Sequence, residues 1–281
     1  MKFIVRFVLL MCWLSAVCVH ADDKAVESLK RLVERQRVLL AEAAKKTELV
    51  EMEDLRGRFQ DLVFDYEAYI KRHPKEPAGY VSYALLLGQP VIDERKRAAA
   101  LLLKANQLDP NLPLVKNQLG NYLAEEGKPL DALNYYLAAV RLAPEEPLYH
   151  YQIGVLLTEA REDFVKSDAW TRTTLDEAMQ EAFERASALA PGNAAYAYRF
   201  GESFYDLERS EWSAALAFWR TFEEKVSSPI EKETIRLHQA NVLIKQEKFS
   251  EARGVLATVG EPALQAQKQK LVAQLDAGAK K

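Results

Sequence analysis

An internal period constrains this chain more than any other feature. Residues 113–146 read PLVKNQLGNYLAEEGKPLDALNYYLAAVRLAPEE. With Pro113 as position 1, Leu119, Gly120 and Leu123 stand at positions 7, 8 and 11, and Ala132, Tyr136, Ala139 and Pro144 at 20, 24, 27 and 32. Two apolar stripes at helical spacing are separated by Gly127 at position 15, which reads as a turn. Gly120 and Ala132 are small enough for the two helices to cross closely, and Leu119 and Tyr136 fill the space around the crossing. Pro144 ends the second helix because it has no amide proton to donate. A unit of this size cannot bury its apolar face alone, so it must stack on copies of itself.

The frame recurs on both sides. Upstream, Gly57, Leu62, Tyr66, Tyr69 and Pro74 fall in register, and the next unit has Tyr80, Tyr83, Ala84, Ala98, Leu102, Ala105 and Pro110, with about two extra residues near Gly88-Gln89-Pro90. Downstream, Ile153-Gly154 and Leu157 open a unit that Phe183, Ala186 and Pro191 close, with 13 extra residues between. A fifth unit carries Phe200-Gly201, Phe204, Ala214 and Phe218, and a sixth Ala240, Leu243, Ala252 and Leu256. The pattern closely resembles the tetratricopeptide repeat, a helix–turn–helix unit of about 34 residues.

The resemblance implies an all-α fold: a right-handed α-solenoid of about six such repeats with capping helices at both ends, forming one continuous body. Composition agrees. Gly and Pro number 11 each in 281 residues, below their usual share, which favours long helices over a turn-rich β fold. The expected division is a signal peptide at 1–21, an N-terminal charged helix at 22–42, repeats over 43–260 with an insertion around 158–175, and a capping helix and tail at 261–281. In that last helix Ala263, Leu264, Leu271 and Leu275 fall on one side.

The first residues read as an address. Lys2 and Arg6 precede an apolar run from Phe7 to Val19, too short for a spanning helix, and Val19-His20-Ala21 puts small residues where signal peptidase cuts. An uncleaved anchor is the competing reading. Val17 before Cys18 breaks the lipoprotein pattern. Cleavage near Ala21 would remove Cys12 and Cys18, the two cysteines, leaving no thiol for a disulfide, a zinc site or a nucleophile, and would move the net charge from -3 to -5. The expected location is periplasmic or secreted. From 22 to about 50, Val26, Leu29, Val33, Leu40 and Ala43, with Gln36, make a short heptad-like seam. It predicts either a cap packed on the first repeat or an oligomerisation stalk.

Chemistry is indicated mostly by absence. No metalloprotease helix motif, nucleophile elbow or phosphate-binding glycine loop occurs, and His73, His150 and His238 lie in different repeats without companion motifs. No catalytic residue, metal or cofactor is therefore predicted, and nothing strongly basic suggests nucleic acid. The family resemblance implies instead that helix-A positions 2, 5, 9, 12 and 13 line a concave groove. Carried over, these are Asn117, Asn121 and Glu125; Tyr151 (with Glu159); Tyr198, Glu202 and Tyr205; and Asn241 and Lys245. Asn can both donate to and accept from a peptide amide, and Tyr offers rigid contact area with a polar tip. The family's basic carboxylate clamp is not matched: Asn121 fits, but position 5 is Asn117, Lys116 is one place off, and the next unit has Tyr151 and Val155. In the insertion, Phe164 and Trp170 are either a partner anchor or internal packing.

The function these features predict is an exported scaffold or adaptor that mediates protein–protein interaction by binding a peptide or helix in its concave groove, in a bacterial cell envelope. Two other readings stand beside it: a helical accessory or catalytic protein of envelope polymer metabolism, and a structural homo-oligomer built through the N-terminal helix.

Overall fold

The computed structural model describes residues 23–45 and 49–279, and residues 49–53 by backbone only. The signal-peptide expectation lies outside the described residues. Every regular element among them is helical. In chain order the helices are α1 (Asp23–Ala43), α2 (Leu49–Arg72), α3 (Pro77–Leu87), α4 (Arg95–Leu108), α5 (Pro113–Glu125), α6 (Pro129–Leu142) and α7 (Pro147–Glu159). There follow α8 (Arg161–Lys166), α9 (Arg172–Leu189), α10 (Ala194–Ser203), α11 (Trp212–Lys225), α12 (Pro229–Lys245), α13 (Phe249–Ala257), a 3-10 turn (Pro262–Leu264) and α14 (Gln265–Gly278). None is long and apolar enough to cross a membrane.

Proline sets many of these boundaries. Pro77, Pro113, Pro129, Pro147 and Pro229 occupy the first turn of their helices, where a missing amide proton costs nothing. Helices α2, α4 and α6 each end two residues before Pro74, Pro110 and Pro144, and α9 ends two before Pro191. The chain divides into two compact units, one ending at Pro144 and the other starting at Glu145. Each unit is built of helix pairs. Repeats contact only their neighbours, so nothing beyond the adjoining pair holds any one boundary.

The first unit holds three pairs, α1–α2, α3–α4 and α5–α6. Its first pair differs from the sequence frame. Gly57 does not make a turn; α2 runs through it, and the chain turns instead between α1 and α2. One interior glycine costs a helix only about 1 kcal/mol, less than the packing of Leu55, Phe59, Leu62, Tyr66 and Tyr69 holds in place. The N-terminal charged helix is therefore the first helix of the first pair, not a segment preceding it. Its seam is buried inside the unit: Leu29 and Val33 are 2% and 1% exposed. Tyr66 donates its hydroxyl proton to Gln36 Oε1 at 2.7 Å, Tyr69 donates to the Ala25 carbonyl at 3.2 Å, and Arg58 pairs with Glu42 at 2.8 Å. A stalk would need this seam free, and α2 covers it.

The second unit pairs α7 with α9, with α8 inserted between them, then α10 with α11 and α12 with α13. The 3-10 turn and α14 pack on α12 and α13 through Leu264 and Leu275, both buried, while Ala263 stays exposed. In the α10–α11 pair the register is one residue later than the sequence suggested. Ala215 and Trp219 are buried, whereas Ala214 is exposed and Phe218 half-buried. The turn between these helices is longer, so the inward stripe starts later.

Candidate functional site

The best-formed candidate is the face made by the first helices of the pairs in the second unit, α7, α10 and α12. Side chains tie the three together. The Tyr151 and Tyr196 rings lie 5.0 Å apart between α7 and α10. Arg199 Nη2 donates to Thr158 Oγ1 at 3.0 Å across the same pair. Between α10 and α12, Tyr198 donates to the Glu231 carbonyl at 3.5 Å, and the Tyr205 hydroxyl meets His238 Nδ1 at 3.3 Å.

A packed aromatic layer underlies this face. Trp219 from α11 is fully buried and stacks on His238, with centroids 4.1 Å apart and planes 11° apart. Tyr198 stands edge-on to Phe222 at 5.3 Å, and Tyr205 stacks obliquely on His238 at 6.0 Å. Tyr151, Tyr198 and Tyr205 are each half-buried, so the rings are fixed on one side and open on the other. Burial, with the charges of Glu231 and Glu202 adding to it, pushes the Tyr198 phenol up to about 12. Burial also pushes Tyr205 up to about 12; the Glu202 charge adds to this and the Asn241 amide acts the other way. Both phenols stay protonated donors at neutral pH. Burial pushes His238 down to about 4, so its ring is neutral there. Glu202 and Lys245 are exposed, and Asn241 is half-buried.

The first unit's candidates are placed differently. Asn117 is fully buried, and neither of its amide atoms has a hydrogen-bond partner. It is not a residue of an open groove, a correction to the sequence reading. Position within the repeat gives a direction, but burial depends on how closely the neighbouring helices approach. Asn121 is half-buried and accepts the Tyr136 hydroxyl proton at 2.7 Å. Glu125 is exposed and pairs with Arg95 at 3.1 Å.

In the insertion, Phe164 is completely buried and meets Trp170 edge-on at 5.8 Å. Phe164 is therefore packing, not an anchor, and half-buried Trp170 covers it. The polar side of the insertion forms a brace that the sequence did not reveal. Asp176, 5% exposed, accepts from Arg172 Nε at 2.9 and 3.0 Å and from the Glu208 amide at 2.7 Å. Arg172 Nη2 donates to the Asp206 carbonyl at 2.5 Å, and Arg199 pairs with the Asp206 carboxylate at 3.1 Å. The Arg161 Nε lies 4.0 Å from Asp176. The supporting residues Trp219 and His238 were also missed as a pair. They lie 19 positions apart, and no spacing rule joins them.

No group of three or more metal-ligating side chains occurs among the described residues. No protein-family model matches the sequence, and no curated protein matches it. Solved structures do. PilF of Pseudomonas aeruginosa is 16% identical with a TM-score of 0.57, over 90% of this chain and 100% of that one. PilW, described as a type IV pilus biogenesis factor, is 12% identical with a TM-score of 0.56, over 90% and 100%. YrrB, described as a tetratricopeptide-repeat protein with an unusual peptide-binding site, is 17% identical with a TM-score of 0.54, over 76% and 97%. At such identities the likeness is one of fold. With the helix pairs described above, it establishes that this chain folds as a tetratricopeptide-repeat solenoid, all-α in architecture.

Proposed function

We propose that the protein is an exported protein–protein interaction scaffold of a bacterial cell envelope, without catalytic activity of its own, that takes a peptide or helix on the α7–α10–α12 face. The observation that carries this reading is the set of three half-open tyrosines, Tyr151, Tyr198 and Tyr205, held from beneath by Trp219, Phe183, Phe222 and His238. Rigid aromatic area with a hydrogen-bonding tip binds at small entropic cost, because little side-chain freedom is left to lose. PilW and YrrB, which share the fold, are described by a role in pilus biogenesis and by a peptide-binding site, and both descriptions are consistent with this proposal. Export rests on the basic, apolar and small-residue pattern of residues 1–21.

The test is site-specific photocrosslinking in the native cells. A photoreactive phenylalanine replaces Tyr198 or Tyr205 in one set and exposed Leu137 in another. Adducts to one protein partner from the tyrosine positions and none from Leu137 are expected; equal adducts from all three, or none, would refute the groove. Mass spectrometry of the chain recovered from the envelope fraction should find Asp22 at its N-terminus.

A further inference from the structure

We infer that the α7–α10–α12 face recognises a basic segment, one that carries arginine or lysine between apolar residues. The inference rests on the groove reading proposed above and adds the chemistry of the partner. Tyr198 and Glu202 are four residues apart on α10 and so share one side of that helix, and Tyr205 lies in the turn just past its end. The Glu202 carboxylate is close enough to raise both phenols. On α7, Tyr151 and Glu159 are eight residues apart and so also share a side. On α10 a half-open ring thus stands one turn from an exposed carboxylate, and on α7 the exposed carboxylate lies about two turns, roughly 12 Å, along the helix from the ring.

Two arginines of this region are already engaged. Arg199 is held by Asp206 and Thr158 and lies 4.4 Å over the Phe183 ring, while Arg172 is held by Asp176. Glu159 and Glu202 have no ion-pair partner among the described residues. A ring face attracts a cation through its quadrupole, and an adjacent carboxylate adds Coulomb attraction. Arg199 over Phe183 is a cation–aromatic contact of this kind within the same unit. Lys245, on α12, is the single base among the groove positions named above. An acidic partner would face unpaired Glu159 and Glu202 and be repelled; a neutral one would leave the carboxylates unused.

Three fluorescein-labelled dodecapeptides test this against the full chain: leucine alternating with arginine, with glutamine and with glutamate. Fluorescence anisotropy should show the arginine peptide binding at least tenfold more tightly than the glutamine peptide, and the glutamate peptide not binding. The paired change Glu159→Gln with Glu202→Gln should remove the tenfold preference. Glu181→Gln with Glu184→Gln, on exposed positions of α9, should leave it intact and so separates the groove from general charge attraction. Equal binding of the arginine and glutamine peptides overturns the inference while leaving the groove reading standing. Equal loss from both variant pairs, or no binding by any peptide, also overturns it. The groove reading itself fails only on the crosslinking result.

Discussion

A Cβ placed on Gly201 would lie 2.4 Å from Cζ2 of Trp219. The same approach recurs in other pairs, with Gly120 against Tyr136 at 2.6 Å and Gly154 against Phe183 at 2.6 Å. In each pair the first helix gives up a side chain so that an aromatic ring of the second can lie flat on its backbone. Gly201→Ala therefore forces Trp219, and with it His238, to move. Overpacking of this kind costs about 1–3 kcal/mol. Urea unfolding should show that loss, together with a changed tryptophan emission. Gly57→Ala is the contrast, since nothing lies within 4 Å of its Cβ and it sits inside α2. It should stabilise the protein by up to about 1 kcal/mol.

These glycines also show what the sequence could reveal. A small residue one helix away from a large one is a local, periodic signal, so Gly120 with Tyr136 and Gly154 with Phe183 identified the pairing of helices. Gly57 stood in the register of the turn glycine Gly127 without its role, because a glycine interior to a helix and a glycine in a turn read alike. Asn117 shows a second limit. Its position in the repeat assigned it to the groove, while its burial is set by how near the surrounding helices come. The exposed and half-exposed residues of α7, α10 and α12 were legible from position, and the aromatic layer beneath them was not, because Trp219 stands one residue outside the frame.

The turn between α12 and α13 places a non-glycine residue where α5–α6 uses glycine. Gly127 has φ +70° and Glu247 has φ 60°. Both turns close with the same backbone pattern: Lys128 donates to the Leu123 carbonyl and Lys248 to the Leu243 carbonyl, each at 2.9 Å. A side chain in the left-handed region costs about 1–2 kcal/mol, partly offset in glycine by its greater freedom when unfolded. Glu247→Gly should therefore raise stability by about 0.5–1 kcal/mol in thermal or urea unfolding. A loss would mean that the Glu247 side chain makes a contact of greater worth.

Asp176 is the keystone of the insertion brace. Asp176→Ala leaves Arg172 and Arg161 without their shared carboxylate and frees the Glu208 amide. Removing one member of a buried charged network costs about 3–5 kcal/mol. The loss should also be local. Trypsin should cut at Arg209 in the variant at concentrations that spare the parent protein, because the segment from Asp206 to Glu211 loses the Glu208 amide contact to α9 and keeps there only the Arg172 bond to the Asp206 carbonyl. An unchanged cleavage pattern would show that the contacts of Arg172 and Arg199 to Asp206 hold the segment without Asp176.

His238 makes stability depend on acidity. Burial lowers its folded pKa to about 4, below the ordinary value of 6.5. Its surroundings are the Trp219 and Tyr198 rings and the Tyr205 hydroxyl, with Glu202 the charged group beyond Tyr205. Above pH 6.5 the ring is neutral in folded and unfolded chains, and the full stability is present. Between about 6.5 and 4 the unfolded chain binds a proton that the folded one does not, so stability falls with falling pH throughout that window. The loss reaches up to about 3 kcal/mol at its lower end. His238→Gln abolishes this titration. In urea unfolding at pH 7 and pH 4.5, the parent should lose more stability between the two than the variant does, by about 2 kcal/mol. Equal losses would show that His238 is protonated in the folded chain, with Glu202 close enough to stabilise the imidazolium.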